Sequence, residues 1–323
     1  MNFPFDPTYG YDLERLLQIE SPEIPHDFEN FWRTCLERIS AIRPRYSINE
    51  QSTHHPDWDI FDTTFESSDE MPIGGWLLVP RNRRPRRGFV VCHGYGGRDA
   101  PDFHLPFTDS AILFPCCRGL PTRSMRAHIS TNPQWHVLHD IDQRDRYIHR
   151  GCVEDVWLSV SLLLRLFPEL DGHLGFLGTS FGGGIGAIAM AFDTRVQAVH
   201  LCVPSFGNHP LRLQCPTRGS GASVTTFYKK NPWVLERTLR YFDAATAAKF
   251  IKIPTHCACA LLDPFVAPPG QFSIFNAIKA SKELFVLKAG HHQYPGMQEE
   301  EERLLAELEG FFARLLNNPG HES

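Results

Sequence analysis

The amino-acid sequence predicts an α/β fold built on a mainly parallel central sheet flanked by helices. Two observations carry that prediction. Runs such as "GFVVCHG", "AILFPCC", "LGFLG", "VQAVHLCV" and "THCACALL" are continuously apolar, the pattern of strands buried on both faces of a parallel sheet. Several are separated by stretches with helical spacing of apolar residues, and that alternation marks strand–helix–strand units. With 323 residues, 42% of them hydrophobic and 21% charged, the chain is of ordinary globular composition and can bury a sizeable core.

Residues 1–45 read as an N-terminal helical extension. In "PHDFENFWRTCLERIS", Phe28, Phe31, Trp32, Cys35, Leu36 and Ile39 recur at helical spacing, so an aromatic helix face should pack onto the main body. From Trp58 strands dominate, beginning with "WDIFDTTFES" and "IGGWLLVP" and ending with "ELFVLKAG". The basic run "RNRRPRRG", Arg81 to Gly88, lies between two strand-like segments and is expected to be a solvated hairpin loop. Helical patterns appear in "CVEDVWLSVSLLLRLF", in "GIGAIAMAF" and in "EEEERLLAELEGFFARLL" near the end of the chain. Residues 204–250 break the rhythm as loop plus helices inserted after a strand, and such insertions often shape a pocket. No repeat or long polar linker divides the chain, so one domain over residues 1–323 is expected.

A net charge of −5 argues against nucleic acid or an anionic membrane as the main partner, since both need a basic face. The start "MNFPFDPTYGYDLERL" lacks the basic-then-apolar form of a secretory signal, and no apolar run reaches transmembrane length. The nine cysteines lie mostly in apolar strand-like contexts, where free thiols act as small hydrophobes. They are read as reduced thiols of a cytoplasmic protein. Alternation puts Cys257 and Cys259 on one face of a strand. "HHPDWD", His54 to Asp59, has metal-like residue types but starts a strand; neither a metal nor a cofactor is expected.

The chemistry centres on Gly178-Thr179-Ser180-Phe181-Gly182, set between the strand "LGFLG" and a small-residue helix. A G-x-S-x-G sequence in that position turns sharply and lifts the serine hydroxyl above the sheet. A serine hydroxyl needs a base, and the base an orienting acid. Asp263 follows the strand "CACALL", and His291 and His292 follow "ELFVLKAG", in the chain order that an α/β-hydrolase sheet uses. Gly290 before His291 favours His291 as the base, whereas counting along the strand from Lys282 favours His292. Oxyanion donors are expected from the backbone N–H of Phe181 and, in "HGYGG", of Tyr95. The Tyr95 ring could close one side of a small acyl pocket. Phe206 and Trp233 could line it, although core packing explains both equally well.

Taken together, "DFENFWRTCLERI", "HGYGG", "CRGL", "DRYIHRGCVEDVWLSV", "GTSFGGG", "VPSFG", "PWVLERTLRYFDAATAAKFIKIP", "LLDPFVAPP" and "GHHQY" resemble the acetylxylan esterase/cephalosporin C deacetylase group of α/β-hydrolases, carbohydrate esterase family 7. The resemblance covers nearly the whole chain. It implies the α/β-hydrolase fold and removal of short acyl, chiefly acetyl, groups from small-molecule esters such as acetylated sugars or xylo-oligosaccharides. It further implies a triad of Ser180, Asp263 and the His291/His292 site, no metal, and closed homo-oligomers. Three departures stand out: Arg118-Gly119-Leu120 where relatives carry Arg-Gly-Gln, Phe181 where they carry glutamine, and His292 or Gln293 where the catalytic histidine is followed by glutamate. They put the exact substrate in question more than the reaction class. Arg118 is expected to support the elbow as an ion-pair partner. Two other readings keep the same residues, a peptidase or amide hydrolase and a non-catalytic binding protein with a relict triad.

Overall fold

Strand pairing gathers the apolar runs into one nine-stranded mixed sheet. The computed structural model describes residues 3–316. In chain order the strands are β1 (Tyr46–Glu50), β2 (Trp58–Glu66), β3 (Pro72–Pro80), β4 (Arg87–Cys92), β5 (Ser110–Pro115), β6 (Leu174–Thr179), β7 (Ala198–Cys202), β8 (Thr255–Ala260) and β9 (Lys282–Leu287). They lie side by side as β1-β2-β3-β5-β4-β6-β7-β8-β9. β1, β2 and β3 pair antiparallel, β3 joins β5 antiparallel, and every pairing from β5 to β9 is parallel.

This order corrects the expected hairpin at Arg81 to Gly88. β5 stands between β3 and β4, so the basic run connects strands that never pair. Arg87 is not solvated either. It is 2% exposed and ion-pairs with Asp109 and Glu309. The strand β1 had no signal in the sequence because four of its five residues are exposed, which leaves no apolar pattern to read.

Side-chain alternation divides the core into two layers. Cys257 and Cys259 face one layer, and Ala258 and Ala260 the other. The first layer is covered by the helices Phe28–Ser40, Ile148–Leu166, Phe181–Met190 and Pro268–Ala277. The second is covered by the helix Met297–Leu316, whose Phe312 meets Phe89 edge-on at 5.0 Å. In the N-terminal helix, Phe28, Trp32, Cys35 and Ile39 are buried, as the spacing predicts. The Trp32 indole N–H donates to the Tyr241 carbonyl at 2.9 Å, and its ring meets Trp157 edge-on. Losing a ring so placed costs about 3–5 kcal/mol, so this helix belongs to the core. All nine cysteines are free thiols.

Between β7 and β8 run the helices His209–Arg212, Ser220–Lys230, Trp233–Arg237 and Ala244–Ala248. Asp243 anchors this inserted segment. It caps the last of these helices through the Thr246 N–H and also accepts the His209 N–H.

Candidate active site

Ser180 occupies the one-residue elbow between β6 and the helix Phe181–Met190, with φ 55° and ψ −112°. Positive φ in a residue with a Cβ costs on the order of 1–3 kcal/mol and persists only where the surroundings enforce it. Here the Ser180 N–H donates to the Cys202 carbonyl (2.8 Å), and the Ser180 carbonyl accepts from Gly184 and Ser205 (both 3.0 Å). The turn is so tight that a Cβ on Gly178 would lie 2.3 Å from the Gly182 carbonyl oxygen, so only glycine fits.

His291 Nε2 lies 2.8 Å from Ser180 Oγ, and His291 Nδ1 lies 2.7 Å from Asp263 Oδ2. A quarter (25%) of the His291 side chain is open to solvent, whereas that of Asp263 is fully buried. Asp263 Oδ1 accepts the Phe265 and Val266 N–H groups, and Oδ2 also accepts from Gln271 Nε2. These bonds fix the carboxylate in place and keep it aimed at the imidazole. The choice between the two histidines is geometric. A Cβ on Gly290 would lie 2.4 Å from Asp263 Oδ2, so glycine there lets the carboxylate reach the next residue. His292 instead sets its ring edge-on to Phe3 at 5.3 Å.

The loop after β4 lies directly against the elbow. A Cβ on Gly94 would stand 3.6 Å from that of Ser180, and the Gly182 N–H donates to the His93 carbonyl at 3.0 Å. Phe181 is the first helical residue, so its N–H has no acceptor within the helix. His93 Nε2 accepts the Cys117 N–H at 3.0 Å, which places its proton on Nδ1, donating to the Gly94 carbonyl. Burial pulls its pKa down to about 4, so this neutral histidine ties the loop to the end of β5.

Tyr95 is clamped by two histidines that the sequence did not single out. His136 Nε2–H donates to the Arg118 carbonyl, which leaves Nδ1 to accept the Tyr95 hydroxyl at 3.1 Å. The Tyr95 oxygen in turn accepts from His149 Nε2–H at 3.1 Å. Burial lowers the pKa of both imidazoles, that of His136 to about 4. The Tyr95 ring rests 4.4 Å from the Phe181 ring, and Phe206 meets both rings edge-on at 6.0–6.3 Å. Phe181 thus fills an aromatic cluster with its side chain while its backbone faces the serine. Trp233 stands apart. It is 39% exposed with its ring beside Arg237, and among the described residues no ring contact joins it to Ser180, His291 or Tyr95.

Arg118 makes a buried ion pair with Asp155 (2.7 Å) and donates to Ser67 and Ser68 Oγ. Its backbone, through His136, supports Tyr95. Arg118→Met is expected to destabilise the fold by about 3–5 kcal/mol, because the buried Asp155 loses its ion-pair partner. Arg118→Met/Asp155→Leu should recover most of that loss. Urea unfolding of the two variants measures it, and a single-variant loss below about 1 kcal/mol would contradict the assignment.

Among the described residues, no three His, Cys, Asp or Glu side chains are grouped to hold a metal ion. His54 and Asp59 turn toward Arg81, and His55 stacks on Phe103. No described helix is long and apolar enough to cross a membrane.

A strained serine elbow and an Asp-then-His order at successive strand ends of this sheet define an α/β-hydrolase. The family model for acetyl xylan esterase (AXE1) matches residues 11–307, and the chain belongs to that family of carboxylic ester hydrolases. An acetyl xylan esterase from Paenibacillus sp. R4 superposes with TM-score 0.81 at 21% identity, over 92% of this chain and 99% of that one. Acetyl xylan esterase 1 from Thermoanaerobacterium sp. JW/SL YS485 gives 0.78 at 20%, over 94% and 99%. A Pyrococcus horikoshii acylaminoacyl peptidase gives 0.64 at 17%, over 83% of this chain and 44% of that one. At these identities the likeness is one of fold.

Proposed function

We propose that this esterase is a serine deacetylase of small acetyl esters such as acetylated sugars and xylo-oligosaccharides. The observation that carries the proposal is the unbroken chain Ser180 Oγ, His291, Asp263 within a chain of the acetyl xylan esterase family. Ser180 Oγ attacks the ester carbonyl while His291 Nε2 takes its proton. Asp263 keeps the His291 proton on Nδ1 and stabilises the imidazolium that forms. The Tyr95 and Phe181 N–H groups receive the developing oxyanion. His291 then protonates the leaving alcohol, and water, deprotonated by the same imidazole, releases acetate from Ser180.

Tyr95, Phe181 and Phe206 pack as one aromatic cluster at the elbow, and a cluster so placed leaves room for a short, two-carbon acyl group rather than a long one. Rates on 4-nitrophenyl acetate, butyrate and octanoate test this. Acetate should exceed octanoate in kcat/KM by about tenfold or more, a modest cost for a long chain excluded from its pocket. Equal rates would remove the small-pocket reading. Faster cleavage of an N-acylated peptide than of any acetate would favour the amide-hydrolase alternative.

A further inference from the structure

Arg212 ends the helix His209–Arg212 in the inserted segment. Its guanidinium lies over the Phe206 ring, 5.4 Å from the centroid, and the residue before Phe206 donates its N–H to the Ser180 carbonyl at 3.0 Å. A Cβ on Gly221 would lie 3.5 Å from Arg212 Nη2. Two residues earlier, Gly219 abuts Phe265, whose ring centre is 5.8 Å from that of His291. The guanidinium therefore adjoins both the Phe206 ring and the segment that leads to Phe265 and His291.

The deep arginines elsewhere are matched by carboxylates: Arg87 by Asp109 and Glu309, Arg98 by Asp102, Arg118 by Asp155. Arg212 differs. Among the described residues its one polar side-chain contact is Nη1 to His209 Nδ1 at 3.5 Å, the limit of a hydrogen bond. The carboxylate that acts on it is Asp243; Tyr95, Tyr147 and Cys215 nearby are kept neutral by burial, which raises their pKa values. Asp243 is already committed to the N–H groups of Asn208, His209 and Thr246. His149 and His209 nearby are kept neutral by burial, so they neither cancel nor share the charge. Burial also lowers the guanidinium pKa from its ordinary value, yet the residue keeps part of its surface open. A desolvated guanidinium that makes no ion pair with a carboxylate is poised for a fork-shaped pair of N–H···O bonds to one.

We propose that Arg212 recognises a carboxylate on the substrate, so that the preferred acetyl ester carries its negative charge on the alcohol part. The charge must lie there because the acetyl group has none. The inference rests on the deacetylase reading and narrows its substrate to acetylated hydroxy acids, acidic sugars among them.

The test compares 2-, 3- and 4-acetoxybenzoate with the matching acetoxybenzamides, which are neutral and of the same shape. In the wild type, at least one acid should exceed its amide in kcat/KM by tenfold or more. The acid-to-amide ratio should fall toward one in Arg212→Gln and recover in part in Arg212→Lys. Arg212→Met provides a second neutral variant should the glutamine form fail to fold. Benzoate should inhibit the wild type competitively, and the inhibition should weaken in the neutral variants. Rapid hydrolysis of all the amides with no preference for any acid would overturn the carboxylate site while sparing the deacetylase reading. A ratio unchanged in Arg212→Gln would also overturn it. Absence of Ser180-dependent hydrolysis of every acetate would overturn both.

Discussion

Ser180→Ala is expected to lower kcat/KM on 4-nitrophenyl acetate by a factor of about 10⁴ or more. The argument is geometric. Without Oγ there is no atom within reach of both His291 Nε2, now 2.8 Å from it, and the N–H donors beside it. On the proposed mechanism, what survives is stabilisation of the oxyanion by the Tyr95 and Phe181 N–H groups during direct attack by water. His291→Ala should cost a similar factor, and the double variant little more, because nucleophile and base act as one unit. His292→Ala should change the rate by less than about threefold, since its ring meets Phe3 rather than the serine. Folding should be nearly unchanged in Ser180→Ala, which forfeits one hydrogen bond worth about 1 kcal/mol. Steady-state rates, with labelling by a fluorophosphonate, provide the check. A Ser180→Ala protein that kept a tenth of the activity, or took up the label, would sink the nucleophile assignment.

Acid should unfold the protein well above the ordinary carboxylate range. Burial holds His93 and His136 neutral with pKa values of about 4, and His209 with one of about 3. In the unfolded chain each returns to the ordinary value of 6.5. Below that value the unfolded state binds protons that the folded state refuses, so stability is complete above about pH 6.5 and declines as pH falls. At pH 5 the three together remove on the order of 6 kcal/mol, against a typical total of about 5–15 kcal/mol. His149, His200 and His256 are shifted down by burial in the same direction. Urea midpoints at pH 7.5, 6 and 5, followed by tryptophan fluorescence, should drop steeply. Equal midpoints at pH 7.5 and 5 would contradict the account.

Much of the framework was legible because apolar runs report burial directly. Each expected strand has a counterpart, and the helix around Trp32 buries the residues its spacing selects. Partnership was not legible. Nothing in "IGGWLLVP" or "GFVVC" says that β5 comes between them, and the basic run was misread as a hairpin for that reason. At the site, Ser180, Asp263 and the histidine pair were visible as residues at strand ends, a placement that local pattern reveals. His136, His149 and Gln271 were not. The two histidines act through Tyr95, 41 and 54 residues away in sequence, and Gln271 acts through Asp263 from within the next helix, so no local pattern ties any of them to the serine. Phe206 and Trp233 looked alike as aromatic residues in or near the insertion, yet one belongs to the cluster beside the serine and the other is half open to solvent.

By itself the sequence determined the α/β architecture, the elbow at Ser180 and the family to which the chain belongs, because these rest on short-range pattern: burial, turn-forming glycines and strand ends. Only the tertiary structure decided strand order, which histidine stands between Ser180 and Asp263, the clamp on Tyr95 and the isolation of Arg212. Those depend on which distant groups come within hydrogen-bonding range. In a core this dense a single Cβ, as at Gly290, is enough to determine whether a carboxylate and an imidazole meet.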